Sequence, residues 1–209
     1  AIIASFSTSK ERITTWDQLY DYREEYCDFN FEELDILLAL KAHEKVEDKK
    51  AIFDEKYTDI LLIFDFDPHD DKFDVAKISK LMSYFNDSTE NGKLYINYPM
   101  VESFYHLSNI REIQVDEYFI DSKFTVKELK EHKYKGRAVS EGTDLDIGRM
   151  SKEMIENIMY QQSCKANYIL EENYEILDDY GQEKMIMILD KQNNLLKESR
   201  WPYNLTQEI

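Results

Sequence analysis

The sequence contains little glycine, proline or cysteine, and it contains no long apolar run. The 209 residues include five Gly and three Pro, too few for a turn-rich all-β fold, which favours helices and ordinary strands instead. The two cysteines, Cys27 and Cys164, cannot form a disulfide framework and are typical of thiols in a reducing compartment. No apolar run approaches the roughly 20 residues of a membrane span, and the first residues lack the basic region of a signal peptide. We therefore expect a cytoplasmic protein without a membrane span.

The chain is strongly acidic. It has 43 acidic and 26 basic residues, for a formal net charge of −17. Such a charge repels nucleic acid at long range, so a role on DNA or RNA requires metal ions or a local basic patch. Hydrophobic residues make up 43% of the chain, which is enough to build the core of one domain, or of two small ones.

A buried strand is predicted at residues 59–67. An apolar run of five residues ends abruptly in Asp65 and Asp67, a pattern typical of a central strand that is buried on both faces. An amphipathic helix is predicted from Asp74 to Phe85, and a second strand over residues 94–97. This order is that of a βαβ unit. We therefore predict an α/β fold with a small, mainly parallel sheet and helices on its faces.

The rest of the chain is predicted to be largely helical. The further elements are, in chain order, a helix over residues 31–46, a helix over 99–106, a strand over 115–120 and a helix over 125–133 that opens with a capping box. Residues 135–149 hold three of the five glycines and are predicted to form a loop. From Ser151 onward the apolar spacing is helical. We expect an α/β core over residues 1–150, with a helical C-terminal extension over 151–209 packed on the same domain.

Asp65 and Asp67 form the principal candidate site. Residues i and i+2 of a strand point to the same face, so the two carboxylates should lie side by side where open α/β sheets bind ligands. Two adjacent negative charges require a proton or a cation, and Mg²⁺ or Mn²⁺ prefers oxygen ligands. We predict that both acids bind such a metal. The alternative is that they cap the following helix or pair with Lys72 or Lys77.

Glu102 is the next candidate. It is four residues from His106, so the two share a face of the predicted helix, whose start lies at the same sheet edge as Asp65. Glu102 is predicted to complete the metal site or to act as a general base. The alternatives are an ordinary exposed glutamate and, for His106, a hydrogen-bonded structural histidine, which the sequence favours.

These residues resemble those of a known group of proteins. The strand ILLIFDFD at residues 60–67, the helix after it and the segment LYINYPMVESF at residues 94–104 resemble the TOPRIM-like domains of bacterial phage-defence and abortive-infection proteins. The resemblance covers about residues 57–108. It implies a nuclease-like, Mg²⁺-dependent phosphoryl transfer on nucleic acid, with Asp65 and Asp67 as metal ligands and Glu102 as a further catalytic acid. It also implies a partner ATPase or another defence subunit.

One part of the family pattern is missing, and two other functions stay open. The first strand of the family ends in a catalytic Glu, which either lies upstream of Ala1 or has been lost together with ordinary catalysis. An acidic interaction subunit that binds a protein partner is one alternative. The other is a haloacid-dehalogenase-like phosphatase with Asp65 as nucleophile and Asp67 as acid/base, although Pro68-His69 replaces the expected Gly-Thr. Its later acidic motif would be Asp178-Asp179.

The most basic part of the chain is the segment Lys123–Arg137. The candidate phosphate contacts in it are Lys127, Lys130, Lys133 and Arg137. With the chain at −17, we expect them to bind nucleic acid weakly without a partner. The alternative is a solvated helix face with ion pairs three and four residues apart.

Overall fold

The structure, a computed structural model, divides into two compact units that are described separately. The described residues are 2–5, 35–66, 68, 73–111, 123–142, 147–176, 181–203 and 205–206. The first unit comprises Ala1–Phe64 and Lys72–Tyr95, and the second comprises Asp65–Asp71 and Ile96–Ile209. The predicted domain boundary at residue 150 stays a prediction.

The described strands form one mixed sheet. They are β1 (Ile2–Ser5), β2 (Ile60–Asp65), β3 (Asn86–Asp87), β4 (Gly92–Tyr98) and β5 (Leu205–Thr206). Their order is β1-β2-β4-β3, and β5 also pairs with β4. Strand β1 is parallel to β2, whereas β3 and β5 are antiparallel to β4. The α/β class is therefore confirmed, but a mainly parallel sheet is not.

Helices make up most of the described structure. They are α1 (Ile36–His43), α2 (Glu47–Lys50), α3 (Val75–Tyr84), α4 (Val126–Lys130), α5 (Lys133–Glu141), α6 (Lys152–Glu171) and α7 (Gln182–Lys197), with 3₁₀ turns at Ala51–Asp54, Val101–Phe104 and Ile147–Arg149. Among the described residues, none of these helices has the length and apolar content needed to cross a membrane. The predicted strand over residues 115–120 lies outside the described residues.

The first unit contains the predicted strand and its helix. Strand β2 alternates between buried and half-buried residues, so one of its faces is more deeply buried than the other. Helix α3 begins at Asp74, whose carboxylate accepts hydrogen bonds from the N–H groups of Ala76 and Lys77. This is an ordinary N-cap, which satisfies two of the orphan donors of the first turn. The apolar face predicted for this helix is confirmed by the burial of Ile78 and Leu81.

The turn before β4 requires glycine. Gly92 has a φ of +104°, and a Cβ there would lie 3.2 Å from Cγ2 of Ile60. The positive φ is strained for any residue with a side chain, and a Cβ would also crowd Ile60. The turn predicted from Asn91-Gly92 is therefore confirmed.

The second unit has a core between its C-terminal helices and the chain after β4. Leu107, Ile110, Ile158 and Cys164 form a buried cluster. Buried amides of α6 also contact this segment, since Gln161 Nε2 donates to the carbonyl of Asn109 at 2.8 Å. The helical prediction from Ser151 onward is confirmed over α6 and α7, but residues 205–206 form strand β5, and Ile155 and Met159 on α6 are partly exposed.

Two predicted elements differ in kind from the structure, and the helices predicted over residues 31–46 and 125–133 end earlier, at His43 and Lys130. The helix predicted over residues 99–106 is a single 3₁₀ turn, Val101–Phe104, after a cis Tyr98–Pro99 bond. Here the carbonyls of Ser103 and Phe104 accept from Gln162 of α6, so tertiary contacts replace the helical hydrogen bonds. The predicted loop over 135–149 instead begins as α5.

Helix α5 forms despite its glycine. A helical Gly costs about 1 kcal/mol relative to Ala, and Gly136 lies inside α5. Burial of Tyr134 and Ala138 offsets that cost, as does the ion pair of Arg137 with Glu141 one turn later. The predicted capping box of the preceding helix is confirmed, because Thr125 and Glu128 exchange hydrogen bonds.

We predict opposite effects for alanine at two neighbouring glycines. A Cβ at Gly142 would lie 2.5 Å from the carbonyl oxygen of Tyr105 and would also meet that of Ala138, so Gly142→Ala should lower the free energy of unfolding by about 1–3 kcal/mol. A Cβ at Gly136 meets nothing within 4 Å, and Gly136→Ala should raise stability by about 0.5–1 kcal/mol. Urea denaturation measures both, and equal effects would contradict this packing.

Candidate functional site

The ends of β2 and β4 bring Asp65 and Asn97 together. Asn97 Nδ2 donates to Asp65 Oδ1 at 3.4 Å, and the N–H of Phe66 donates to the carbonyls of Asn97 and Pro99 at 2.9 and 3.0 Å. The rings of Phe66 and Tyr98 pack at a centroid distance of 4.8 Å beneath this edge. The backbone that carries Asp65 is therefore fixed by hydrogen bonds and by an aromatic contact.

Hydrogen bonds of Ser103 fix the 3₁₀ turn that carries Glu102. Ser103 Oγ lies 2.7 Å from Thr206 Oγ1 and 3.2 Å from the carbonyl oxygen of Leu205. The Ser103 carbonyl accepts from Gln162 Nε2 at 2.9 Å. Strand β5 and helix α6 thus fix the turn on two sides, and the turn directs Glu102 into a buried position.

Glu102 pairs with a lysine from α5. Lys135 Nζ lies 2.7 Å from Glu102 Oε1, and the Glu102 side chain is only 9% exposed whereas that of Lys135 is 70% exposed. The hydrogen bond to Glu102 raises the pKa of Lys135, and the charges of Glu102 and Asp65 raise it further. A carboxylate with so little access to water needs a counter-charge, and Lys135 supplies it.

The phenol of Tyr105 lies close enough to Glu102 and Lys135 to be affected by their charges. Burial raises the pKa of Tyr105, and the charge of Glu102 raises it further. We call Asp65, Asn97, Glu102, Tyr105 and Lys135 the Glu102 site. It contains two carboxylates, an amide, a phenol and an ammonium, which can hold a cation or contact an anionic group.

The described residues of the Glu102 site include oxygen donors of the kind that bind hard cations. Asp65, Asn97 and Glu102 would each bind a metal through a side-chain oxygen, the donor atom that Mg²⁺ and Mn²⁺ prefer. Within the described ranges, no group of three His, Cys, Asp or Glu side chains is placed to hold a metal ion. Asp67, the other ligand predicted from the sequence, lies outside those ranges. The donor types therefore fit a hard cation, with Asp67 as the further acid that the prediction requires.

His106 is not part of the Glu102 site. It is fully buried, its Nδ1 lies 3.1 Å from the hydroxyl of Tyr134, and its Nε2 lies 3.1 Å from Glu141 Oε2. The predicted shared helical face with Glu102 does not exist, because the 3₁₀ turn ends at Phe104. His106 is the hydrogen-bonded structural histidine that the sequence favoured.

The surroundings of His106 oppose its protonation. Burial lowers its pKa to about 4, and the nearby charge of Lys165 acts in the same direction. Lys165 is itself buried, which lowers its pKa to about 7, and its Nζ donates to the His106 carbonyl at 3.4 Å. At neutral pH the imidazole is uncharged.

The sequence indicated some of these residues and missed others. Asp65 and Glu102 belong to one unit, and their charges both act on Lys135. Lys135 had no sequence signal beyond its place in the basic segment, since its pairing depends on how α5 packs against residues 33 positions earlier. Asn97 is visible in the strand motif, but its contact with Asp65 follows only from the sheet.

We predict that His106 makes stability depend on pH. Because the folded protein lowers its pKa from 6.5 to about 4, the unfolded chain binds more protons between these values. The free energy of unfolding should therefore fall as the pH falls through this window, by on the order of 2 kcal/mol. Urea denaturation from pH 7 to pH 4 measures it, with His106→Gln showing a flatter profile.

Exposed His132 provides the matched control. His132→Gln should keep the pH profile of the wild-type protein, because the variant retains His106 and its buried partners. A His106→Gln profile as steep as that of the wild type would contradict the prediction.

Comparisons with known proteins assign the Glu102 site to no family. No family model matches the chain, and neither a curated protein nor a solved structure matches it. The resemblance to TOPRIM-like domains therefore depends on the motifs in residues 57–108, and the proposed function depends on the geometry of the Glu102 site.

Proposed function

We propose that the chain is a TOPRIM-like, metal-dependent nuclease domain of a cytoplasmic phage-defence protein. The observation that supports it is the buried carboxylate of Glu102, which pairs with Lys135. The charge of Asp65, at the end of β2, acts on the same lysine. Phosphoryl transfer needs acids that bind a cation and a positive group that contacts the phosphate. The Glu102 site contains both within one compact unit.

The proposed metal would be Mg²⁺ or Mn²⁺, with Asp65, Asp67 and Glu102 as its acidic ligands. When bound, such an ion polarises a phosphodiester and lowers the pKa of a coordinated water. Asn97 orients Asp65 through its amide. Glu102 would either complete the coordination of the ion or act as the general base once Lys135 has left it.

Lys135 would contact the phosphate. Its ammonium is bound to Glu102 on one side, while 70% of the side chain is exposed, so an arriving phosphate oxygen can reach it. Contact with a phosphate would draw Lys135 from Glu102 and leave that carboxylate to a cation or a proton. In this proposal Lys135 is the counter-charge of Glu102 until substrate and metal arrive.

The departure from the family pattern concerns the first strand. Strand β1, Ile2–Ser5, contains no Glu, so the catalytic Glu of the family has no counterpart within its bounds. Among the described acids, Glu102 is the residue to which we assign that role. An interaction subunit and a phosphatase remain the alternatives; Asp178 and Asp179, on which the phosphatase motif depends, lie outside the described residues.

We predict that Mn²⁺ binds the chain through these acids. Asp65→Asn and Glu102→Gln should each weaken binding by roughly tenfold or more, because each removes a charged oxygen ligand. The Asp65→Asn/Asp67→Asn double variant should lose binding. Lys135→Met should strengthen binding instead, because it removes the cation that competes for Glu102. Isothermal titration calorimetry measures all four variants.

The control is Asp190→Asn, which removes an exposed acid of α7 and should leave Mn²⁺ affinity unchanged. Equal, weak binding by every variant would contradict the metal site. Plasmid and RNA nicking, assayed beside a phosphomonoester, separates the alternatives. Monoester turnover that is lost in Asp65→Asn would indicate the phosphatase, and an absence of both metal binding and turnover would favour the interaction subunit.

The predicted phosphate-binding lysines differ in their surroundings. Lys127 and Lys133 both pair with Glu131, and both are well exposed. Lys130 is exposed and makes no ion pair within the described residues. Arg137 is 25% exposed and donates to Glu141 and Glu128, so most of its donors are already used. Among the four, Lys130 is the exposed cation that has no ion pair within the described residues.

We predict that charge reversal at Lys130 weakens nucleic-acid binding more than reversal at Lys133, which must leave Glu131 before it can contact phosphate. Each lost contact should reduce the slope of log affinity against log salt by about 0.7–0.9, and it should do so for all sequences alike. Salt series of binding isotherms with Mg²⁺ present measure the effect, and Lys191→Glu on α7 is the charge-matched control. Equal losses in all three variants would indicate a nonspecific charge effect and contradict a contact at Lys130.

A further inference from the structure

Helix α5 is bound to the segment Glu102–His106 at both of its ends. Near its start, Lys135 pairs with Glu102 at 2.7 Å, and the hydroxyl of Tyr134 lies 3.1 Å from His106 Nδ1. At its last residue, Glu141 Oε2 lies 3.1 Å from His106 Nε2. The imidazole therefore bridges two positions of α5 that are seven residues apart.

The backbone packs closely at the same place. A Cβ at Gly142, directly after α5, would lie 2.5 Å from the carbonyl oxygen of Tyr105 and 3.2 Å from Cα of His106. Only a residue without a side chain allows this approach. Gly142 thus lets the end of α5 come close enough for Glu141 to reach the buried ring.

The hydrogen bonds of His106 are directional. An ionised Glu141 can only accept, so Nε2 carries the proton and Nδ1 accepts from the hydroxyl of Tyr134. Arg137 holds Glu141 in place through Nε, which lies 3.0 and 2.9 Å from its two carboxylate oxygens. Each polar atom of the neutral ring therefore has a partner that suits it.

We propose that His106 is a positioning residue, which by bonding Tyr134 and Glu141 on α5 holds Lys135 against Glu102. The consequence for catalysis rests on the proposed function, whereas the positioning itself concerns only this chain. An ion pair with one exposed partner contributes little on its own, because a flexible lysine loses entropy when it is held. The helix that carries Lys135 must be fixed for the pair to persist.

Lysine acylation measures the position of Lys135 without metal or nucleic acid. At pH 8, with limiting N-hydroxysuccinimidyl acetate, mass spectrometry gives a rate for each lysine. In the wild-type protein Lys135 should react more slowly than exposed Lys130, because its ammonium is held by Glu102 at 2.7 Å. Glu102→Gln should accelerate it toward the rate of Lys130, because the neutral amide no longer holds the ammonium in an ion pair.

Two variants test the role of His106. His106→Leu removes both ring hydrogen bonds, and Tyr134→Phe removes one while keeping the buried ring, so it stays informative if the leucine variant does not fold. Both variants should raise the acylation rate of Lys135 toward the rate that Lys135 has in Glu102→Gln. The leucine variant should raise it more. His106→Gln, whose amide N–H can still donate to Glu141, should restore part of the protection.

Lys127 and Lys130 are internal references in every sample. A purely structural role for His106 would loosen the whole unit, so buried Lys165 would become reactive together with Lys135 while the exposed references stay constant, and this outcome would overturn the proposal. The proposal also fails if Lys135 reacts as fast as Lys130 in the wild type, or if Tyr134→Phe leaves its rate unchanged. If the wild-type protein does not bind Mn²⁺, the proposed function is refuted. The acylation rates still test the role of His106, because they are measured without metal.

Discussion

The pairing of Glu102 with Lys135 organises the candidate site. A carboxylate that is 9% exposed is costly to bury unless a counter-charge accompanies it, because most of its hydration is lost. Lys135 provides that charge from the solvent side, so Glu102 can stay inside while its partner remains accessible. A metal cation could satisfy the same requirement, since the buried acid needs a positive neighbour rather than a particular one.

The remainder of the second unit serves to keep the two partners in place. Ser103 binds β5 through Thr206 and α6 through Gln162, which fixes the turn that carries Glu102. His106 binds α5, which carries Lys135. The acid and its cation are thus fixed by different hydrogen-bond networks on adjacent parts of the chain. Such support is what a site with well-defined geometry requires.

The sequence predicted well those features that depend on local patterns. The apolar run of β2, the amphipathic spacing of α3 and the capping box of Thr125 are each decided by nearby residues, and all three are present. The 3₁₀ turn at Glu102 was predicted as a longer helix. The sequence pattern does not show that Gln162, about 60 residues away, donates to the carbonyls of Ser103 and Phe104. Helix α5 was missed because the three glycines of residues 135–149 are typical of loops.

The candidate site shows the same limit. Asp65 is visible in the sequence because it ends an apolar strand, and Glu102 because it follows the next one. Lys135 is one lysine among several in a basic segment, and nothing local distinguishes it from Lys130. Its special position comes from the packing of α5 at Gly142 and from the bonds of His106, and these are long-range contacts.

The overall acidity and the proposed substrate can be reconciled through the distribution of charge. The net charge of −17 acts at long range, where salt screens it beyond about 10 Å, whereas contacts with phosphate form within a few ångströms. In the basic segment, Glu131 neutralises part of the charge of Lys127 and Lys133, so little positive field extends outward. A domain of this kind would bind nucleic acid weakly by itself, and its discrimination would come from Lys135 and a bound cation at the Glu102 site rather than from a broad basic surface. A partner that brings the nucleic acid to it would then contribute most of the affinity.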